Sequence, residues 1–330
     1  MGKSQRIADG RFIIRPYQEV DQPGVLALWR EVFGQEMPAS LWHWKYTANP
    51  YGRRIMLCVQ DTGEIVAYFG GIPYSANCNG RRVEIVQLMD IMSHPQYRGG
   101  GFFVQTAQAF TENCMGIEKY AFCYGLPGKQ HFDIGEKYLQ YRRLPEGMAY
   151  VTASTDDAEF FSTCKQASAL TYSQIDGAFD RLWEKCRPYY PMAVVRNQQF
   201  VKWRFCENCL KDYEIWGYYN TPQTVMEGYA VICNEGDRAV IVDWLSMPKP
   251  ETVKSFLSCL KQAYKTKGVK HMVTWLPAHH ALADIFLGAG FTNEPEPFGF
   301  IPAACCFAPE ISPDWVLNNL YYTMADGDLF

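Results

Sequence analysis

The sequence predicts a mixed α/β fold in which two similar units follow one another along the 330 residues. Three observations support this class. Short strand-like segments alternate with amphipathic helical segments between residues 11 and 153, which is the pattern of a sheet covered by helices. One strand, near residues 88–92, runs into a glycine-rich turn and then into a helix. Finally, motifs from the first half return in the second half in the same order, as in an internal duplication.

The first elements can be placed from their hydrophobic patterns. Residues 11–16 form a short strand, and Asp21 and Pro23 then mark the start of a helix. This helix has apolar residues at spacings of three and four, which gives it one buried face, and Gly34 ends it. Strands are predicted at about 55–60, 64–72 and 83–92, with Gly and Asn turns between them.

A helix at 101–114, a strand at 119–124, a helix up to about residue 139 and a strand at about 141–153 complete the first unit. Residues 154–175 are rich in Ser, Thr, Asp and Ala without a clear period. We therefore predict a first domain at 1–153, a linker at 154–175 and a second domain at 176–330.

Composition excludes several classes of protein. Hydrophobic residues make up 48% of the chain and charged residues 20%, so disorder is not expected. The net charge of −4 argues against a nucleic-acid partner. There is no signal-like N-terminus and no apolar run of membrane-spanning length, so we expect a cytoplasmic protein with no membrane partner.

The twelve cysteines are scattered, and in a cytoplasmic protein they are expected to be reduced and mostly buried. Cys206 and Cys209 form the one CxxC pair, which cannot provide four zinc ligands by itself. His279, His280 and Asp284 have metal-like spacing, but at a helix start they are expected to cap the helix. We predict no metal site.

The glycine-rich turn reads Gln96-Tyr97-Arg98-Gly99-Gly100-Gly101 and follows Pro95. Glycines between a strand and a helix allow backbone N–H groups to converge on a phosphate, and the helix dipole favours the negative charge. Arg98 adds a cation. No Gly-Lys-Ser/Thr follows, and GxGxxG does not fit, so neither the Walker A loop nor the dinucleotide fingerprint is present. The turn predicts a pyrophosphate site; the alternative is a hairpin or helix cap without a ligand.

The turn resembles the acyl-CoA loop of the GNAT family of N-acetyltransferases, whose signature is Q/R-x-x-G-x-G/A. Gln96, Gly99 and Gly101 occupy the defined positions of that signature. The resemblance implies two tandem GNAT-like acyl-CoA N-acyltransferase folds and acetyl-CoA as co-substrate. It further implies that the backbone at Ile91, Met92 and Ser93 pairs with the pantetheine arm and that the Met92 N–H faces the thioester oxygen. The residues that the resemblance implies for the pyrophosphate and the loop signature are Gln96, Arg98, Gly99, Gly100, Gly101, Phe102 and Phe103.

The acid and base of such a reaction are less defined by the sequence. Asp90 lies two residues before Met92 on the same strand face and is the candidate base; Glu84 is a weaker one. Family members carry a tyrosine in the helix before a Leu-Gly-Phe turn, but Glu136 stands in that position here. Tyr138 is therefore the candidate acid, and the alternative is a core aromatic. The same helix lacks the family's pantetheine-contacting asparagine, since Gly128 occupies its position.

The second half repeats the first. Trp203 follows Trp44 by 159 residues, and Asp243 follows Asp90 by 153. The return of this aspartate keeps a structural role for Asp90 open. Where the first copy has its glycines, the second has Pro248 and Pro250, which cannot present converging N–H groups. We predict a degenerate second copy that does not bind CoA.

These observations predict an enzyme that transfers an acetyl group from acetyl-CoA to a primary amine of a small molecule. The alternatives are a non-catalytic acyl-CoA sensor or scaffold and an aminoacyl transferase of the cell-wall type. Trp42 and Tyr46 are expected to face the acceptor. The sequence does not indicate the oligomeric state.

Overall fold

The computed structural model describes residues 4–8, 10–114, 119–144, 147–156, 166–220 and 225–327. The strands in these residues are β1 (Gln5–Ile7), β2 (Phe12–Pro16), β3 (Arg54–Gln60), β4 (Ile65–Cys78), β5 (Arg81–Leu88), β6 (Met92–Ser93), β7 (Cys123–Gly125), β8 (Arg142–Arg143), β9 (Met148–Ser154), β10 (Ala167–Leu170), β11 (Met192–Val194), β12 (Tyr213–Tyr219), β13 (Met226–Glu235), β14 (Arg238–Ser246), β15 (His271–Pro277), β16 (Thr292–Glu294), β17 (Ala303–Cys305) and β18 (Leu320–Tyr321). The α-helices are α1 (Gln22–Phe33), α2 (Ala39–Trp42), α3 (Phe102–Glu112), α4 (Lys129–Leu139), α5 (Gly177–Cys186), α6 (Gln198–Val201), α7 (Pro250–Thr266), α8 (Ala281–Leu287) and α9 (Pro313–Asn319). The mixed α/β class is therefore confirmed.

The chain folds into two compact units, and each is assembled from several stretches of sequence. The first unit contains residues 1–75, 83–143 and 301–313, and the second contains 76–82, 144–300 and 314–330. The predicted domain boundaries, 1–153 and 176–330, stay a prediction. Much of the predicted linker lies outside the described residues.

The sheet of the first unit has the strand order β1-β2-β3-β4-β5-β7-β17-β8, and β6 extends the pairing along β4. The pairs β1–β2, β2–β3, β3–β4, β7–β17 and β17–β8 are antiparallel, whereas β5 and β7 are parallel. α3 packs on this sheet through Ala107 and Phe110, which belong to the hydrophobic core. The i, i+3 spacing of these residues places them on one helix face.

The strand predicted at 141–153 is divided between the two sheets. Its first residues form β8, at the edge of this sheet beside β17, whereas its longer part, β9, pairs antiparallel with β15 in the second unit. In the first unit, β17 lies beside β7 in its place. The assignment of the whole strand to the first sheet was wrong, because a strand pattern specifies which face is buried but not which partner strand is bonded.

The sheet of the second unit has the order β10-β12-β13-β14-β15-β9-β16. The sequence predicts strands near 213–219, 227–233, 238–246 and 269–276, and β12, β13, β14 and β15 confirm them. It also predicts that Val253, Phe256 and Leu260 share one face of the following helix, and all three are buried in α7. None of the described helices is both long enough and apolar enough to cross a membrane.

Each unit contains the same unusual local structure. α2 continues into a π-helical turn at His43–Thr47, and α6 continues into a π-helical turn at Lys202–Cys206. Trp44 and Trp203 are both buried in these turns, as expected for core residues. Trp42 and Tyr46 are 2% and 1% exposed, so the expectation that they face an acceptor is not met.

The cysteines are mostly free thiols. Cys209 is exposed and Cys206 half-buried, and both are free. Cys259 is disulfide-bonded, which departs from the expectation of reduced cysteines. Among the residues that the structure describes, no group of three or more His, Cys, Asp or Glu side chains is arranged to hold a metal ion.

Candidate active site

The strand that leads to the glycine turn is interrupted by a β-bulge. Before the interruption, the Met89 N–H donates to the Gly70 carbonyl at 3.0 Å; after it, Met92 pairs with Tyr68. Two residues therefore lie on this strand where β4 has one. The first of the two, Asp90, has a φ of 52°, in the left-handed region that residues other than Gly, Asn and Asp rarely adopt. The bulge turns the backbone so that β5 and β6 are separate strands.

The bulge leaves one edge of β6 open. β6 pairs with β4 through Met92 and Ser93, and β4 is its one strand partner in the described part of the chain. The parallel pairing between β5 and β7 involves Val86 and Gln87, which lie before the bulge. The far edge of β6 is thus a place where an extended ligand can add as a further strand.

Asp90, the candidate base, lies in a buried ion pair. Lys45 Nζ donates to Asp90 Oδ1 at 2.8 Å and lies 2.7 Å from Oδ2, and the two side chains are 6% and 4% exposed. The Tyr46 hydroxyl donates to Oδ2. Burial, reinforced by Asp90, raises the pKa of Tyr46 well above its ordinary value, so this hydroxyl keeps its proton. Donors on both oxygens stabilise the carboxylate and weaken it as a base.

The glycine turn forms the N-terminus of α3. Pro95–Tyr97 is a 3-10 turn, and Gly99 and Gly101 follow with φ values of 83° and 79°. A Cβ at Gly99 would meet no atom within 4 Å, so the constraint there is the backbone angle. The first hydrogen bond of the helix runs from the Gln105 N–H to the Gly101 carbonyl. The N–H groups of Phe102, Phe103 and Val104 therefore have no acceptor within the helix, whereas those of Arg98 and Gly100 donate to the Pro95 and Tyr97 carbonyls.

The remaining loop residues are divided between the core and the surface. Gln96 and Arg98 are exposed. The Phe102 ring lies 4.3 Å from the ring of Phe12, and the Phe103 ring lies 5.9 Å from that of Phe69 (centroid distances). These aromatic contacts hold the first turn of α3 on the sheet, while the glycines and Arg98 face outward. Together the turn and the open edge of β6 form one continuous stretch of backbone from residue 91 to residue 103.

Tyr138, the candidate acid, is not enclosed. It is 50% exposed, and the Lys137 ammonium lies 5.0 Å from its ring centroid. The buried stripe of α4 consists of Phe132, Gly135 and Leu139, and Tyr138 falls outside it. Glu136 is exposed as well. The alternative of a core aromatic is therefore wrong, and a catalytic role for Tyr138 stays a prediction.

Sequence reasoning missed His131. Its ring makes an edge-to-face contact with Phe103 at 5.7 Å, and its Nε2 lies 3.3 Å from the Tyr141 hydroxyl. Burial lowers the pKa of His131 to about 4. The imidazole is thus neutral at pH 7 and is the titratable side chain of α4 that touches the loop. The sequence signal that could have pointed to His131 is its position, since this polar residue comes directly before Phe132 at the edge of the buried stripe.

The buried histidines predict a stability that falls in acid. His131, and His280 in the second unit, both have pKa values lowered to about 4 by burial, from 6.5. The unfolded chain takes up these protons at a higher pH than the folded chain, so the stabilisation is complete above pH 6.5 and is lost as the pH falls towards 4. At pH 5 the loss is about 2 kcal/mol for each histidine.

Urea unfolding at pH 7 and pH 5 measures this loss. His131→Gln should reduce the difference between the two pH values, whereas the control His271→Gln, at an exposed position, should leave it unchanged. An equal pH difference in wild type and His131→Gln would contradict the neutral buried imidazole.

Comparisons with known proteins agree with this geometry. Residues 13–132 match the model of the acetyltransferase (GNAT) domain. This stretch contains the bulge, the open edge and the glycine turn, and it ends inside α4. No curated protein matches the chain.

Several solved structures share the fold over most of the chain. A conserved protein of unknown function from Enterococcus faecalis, described as a probable N-acyltransferase, has a TM-score of 0.70 at 15% identity, covering 89% of this chain and 72% of its own. A GCN5-related N-acetyltransferase from Anabaena variabilis has a TM-score of 0.70 at 13% identity with the same coverage. The N-myristoyltransferase of Saccharomyces cerevisiae, solved with bound myristoyl-CoA, has a TM-score of 0.57 at 11% identity and covers 94% of this chain and 87% of its own. Residues 13–132 are thus similar to the acetyltransferase (GNAT) domain, and the likeness of the longer chain to these solved structures is one of fold.

Proposed function

We propose that this protein is an acyl-CoA-dependent N-acyltransferase that transfers an acetyl group from acetyl-CoA to a primary amine of a small molecule. The observation that carries the proposal is the bulged strand whose open edge runs directly into the glycine turn of α3. In this arrangement the Met92 and Ser93 backbone pairs with the pantetheine arm. The N–H groups of the turn and the Arg98 guanidinium bind the pyrophosphate.

The reaction then needs few side chains. The acceptor amine attacks the thioester carbonyl, the Met92 N–H donates to the developing oxyanion, and the CoA thiolate leaves. The amine must lose a proton and the thiolate must gain one. Because both oxygens of Asp90 already accept hydrogen bonds from Lys45 and Tyr46, we infer that the amine loses its proton to solvent water and not to Asp90. Tyr138 remains the candidate proton donor to the thiolate.

We further infer that the chain is a tandem of two related units and that the second binds no acyl-CoA. The paired π-helical turns around Trp44 and Trp203 support a common origin. In the second unit the helix that follows the β14 strand starts at Pro250, with Lys249 before it and no glycine turn. Calorimetric titration should therefore give one acetyl-CoA per chain.

The test compares wild type with the variant Gly99→Pro/Gly101→Pro. Proline cannot adopt the positive φ of either position and removes an N–H at each, so we expect acetyl-CoA binding to weaken by more than about tenfold. The control Gly236→Pro places proline at another positive-φ glycine, in the β13–β14 turn. S-acetylpantetheine, which lacks the pyrophosphate, should bind wild type and the loop variant about equally well.

Two outcomes would overturn the proposal. Wild type that does not bind acetyl-CoA or a longer acyl-CoA leaves no co-substrate for the reaction. Equal binding of acetyl-CoA by wild type and the loop variant would show that the pyrophosphate does not bind at the glycine turn. A series from acetyl-CoA to myristoyl-CoA in the same titration defines the acyl chain length.

A specific observation also favours a second function, a non-catalytic acyl-CoA sensor. Tyr138 and Glu136 are exposed and Asp90 is held in an ion pair, so none of these three side chains is placed as an enclosed acid or base that is ready to act. A sensor binds acetyl-CoA with the same loop dependence but releases no free CoA when primary amines are supplied. Thiol release with a panel of amines distinguishes the two functions.

A further inference from the structure

Four thiols lie close together in the first unit, away from the glycine turn. Cys123 on β7 is directly opposite Cys305 on β17, and the chain continues to Cys306. The Sγ atoms of Cys305 and Cys306 are 3.5 Å apart, and Cys306 Sγ lies 3.1 Å from Thr111 Oγ1 on α3. The Cys123 thiol also interacts with the thiols of Cys305 and Cys306. Cys114, at the end of α3, interacts electrostatically with Cys305.

The four thiols of this cluster differ in their exposure to solvent. Cys114, Cys123 and Cys305 are buried in the hydrophobic core, whereas Cys306 is half-buried. Cys306 also has a φ of 54°, which turns the chain sharply at the end of β17. Cys306 is thus the most exposed of the four thiols, and the hydrogen-bonding groups of its neighbours converge on its sulfur.

Hydrogen bonds make Cys306 the most thiolate-like member of the cluster. The contacts with Cys123 and Cys305, and a smaller one with Thr111, hold the pKa of the Cys306 thiol well below its ordinary value, against the effect of burial. The same contacts, led by that with Cys305, raise the pKa of Cys123. A thiolate, not a thiol, is the nucleophile in reactions with peroxides.

We propose that Cys306 is a site of oxidation by hydroperoxides and that Cys123 resolves it to a disulfide. The Cys306 thiolate attacks one peroxide oxygen, the O–O bond breaks, and the alcohol (or water, from H2O2) leaves, which produces a sulfenic acid on Cys306. The Cys123 sulfur then attacks the Cys306 sulfur, an S–S bond forms, and water leaves with the Cys123 proton. Two thiols are oxidised by two electrons, and one hydroperoxide is reduced.

The geometry favours Cys123 over Cys305 as the resolving residue. Adjacent residues have Cα atoms about 3.8 Å apart across a trans peptide, which is shorter than the roughly 4.4–6.8 Å usual for disulfides. Cys123 lies on the neighbouring strand, directly opposite Cys305, and its thiol interacts with that of Cys306. The inference does not depend on the proposed transferase function.

The test is peptide mapping by mass spectrometry after treatment of the full-length protein with H2O2, with and without dimedone, which traps sulfenic acids. In wild type we expect a Cys123–Cys306 cross-link, reversible by dithiothreitol. Cys123→Ser should lose the cross-link and accumulate the dimedone adduct on Cys306. Cys306→Ser should show neither, and the control Cys209→Ser, at an exposed thiol, should behave as wild type.

The peptide map of the wild-type protein tests the proposal by itself, even if a variant fails to fold. We expect Cys306 to react at least tenfold faster than the exposed Cys209. Faster labelling of Cys209, with Cys306 still a thiol, would overturn the proposal. A Cys305–Cys306 link would overturn the assignment of Cys123.

Discussion

Replacing Asp90 with asparagine is expected to destabilise the protein by about 3–5 kcal/mol, because the Lys45 ammonium then stays buried without its counter-ion. Asparagine tolerates the left-handed backbone that Asp90 adopts, so the effect reports on the lost charge and not on strain. The double variant Lys45→Met/Asp90→Asn removes both charges and should regain much of the lost stability. Urea unfolding of the four proteins measures this double-mutant cycle.

The same cycle separates a structural role for Asp90 from a catalytic one. If the ion pair only holds the bulge, the double variant should recover acetyl-CoA binding, and turnover where wild type has it, together with stability. If Asp90 is the base, turnover stays low in the double variant although stability and binding return. Additive stability effects of the two substitutions would contradict the ion pair itself.

Replacing Arg196 with methionine is expected to cost the second unit about 3–5 kcal/mol at pH 7. Arg196 is completely buried; its Nε donates to Asp243 Oδ1 at 3.0 Å, and a terminal nitrogen donates to Asp326. Tyr229 and Thr323 donate to Asp243 at 2.7 and 2.8 Å. Methionine would leave two buried carboxylates without this cation.

This loss should be smaller at pH 5 than at pH 7. Burial raises the pKa of Asp326, and removing the guanidinium removes the strongest opposing effect, so the pKa rises further in the variant. A carboxyl whose folded pKa exceeds its unfolded pKa favours the folded state at low pH, and this stability is lost as the pH rises. Urea unfolding at both pH values gives the comparison.

The control for this prediction is Lys211→Met. Lys211 and Glu235 form an ion pair at 3.2 Å, but their side chains are 29% and 46% exposed, so the expected change is within about 1 kcal/mol. A loss of comparable size in both variants would show that the buried network of Arg196 contributes no more than an exposed ion pair.

Asp326 illustrates how far the sequence alone can mislead. The sequence of residues 315–330 predicts a strand that finishes the second sheet, with Asp326 and Asp328 at its exposed end. Instead α9 precedes the short β18, and Asp326 is 2% exposed against Arg196. Asp328 lies outside the described residues. The sequence pattern could not reveal this, because the arginine that donates to the carboxylate lies 130 residues earlier.

The sequence by itself determined the local elements. Periodic apolar residues predicted α3, α7 and the strands of the second unit, since burial of one face requires that spacing. The glycine turn and its position before a helix were also readable, because positive φ angles and close backbone approach select glycine. These features were sufficient to indicate the resemblance to the GNAT domain, whose model matches residues 13–132.

Only the tertiary structure decided which elements and side chains meet. It placed β9 in the second sheet and β17 in the first, paired Asp90 with Lys45, and brought His131 against Phe103. Strand exchange, buried ion pairs and ring contacts join residues far apart in the chain. The stability of these contacts depends on the burial of both partners together, which a local sequence pattern does not show.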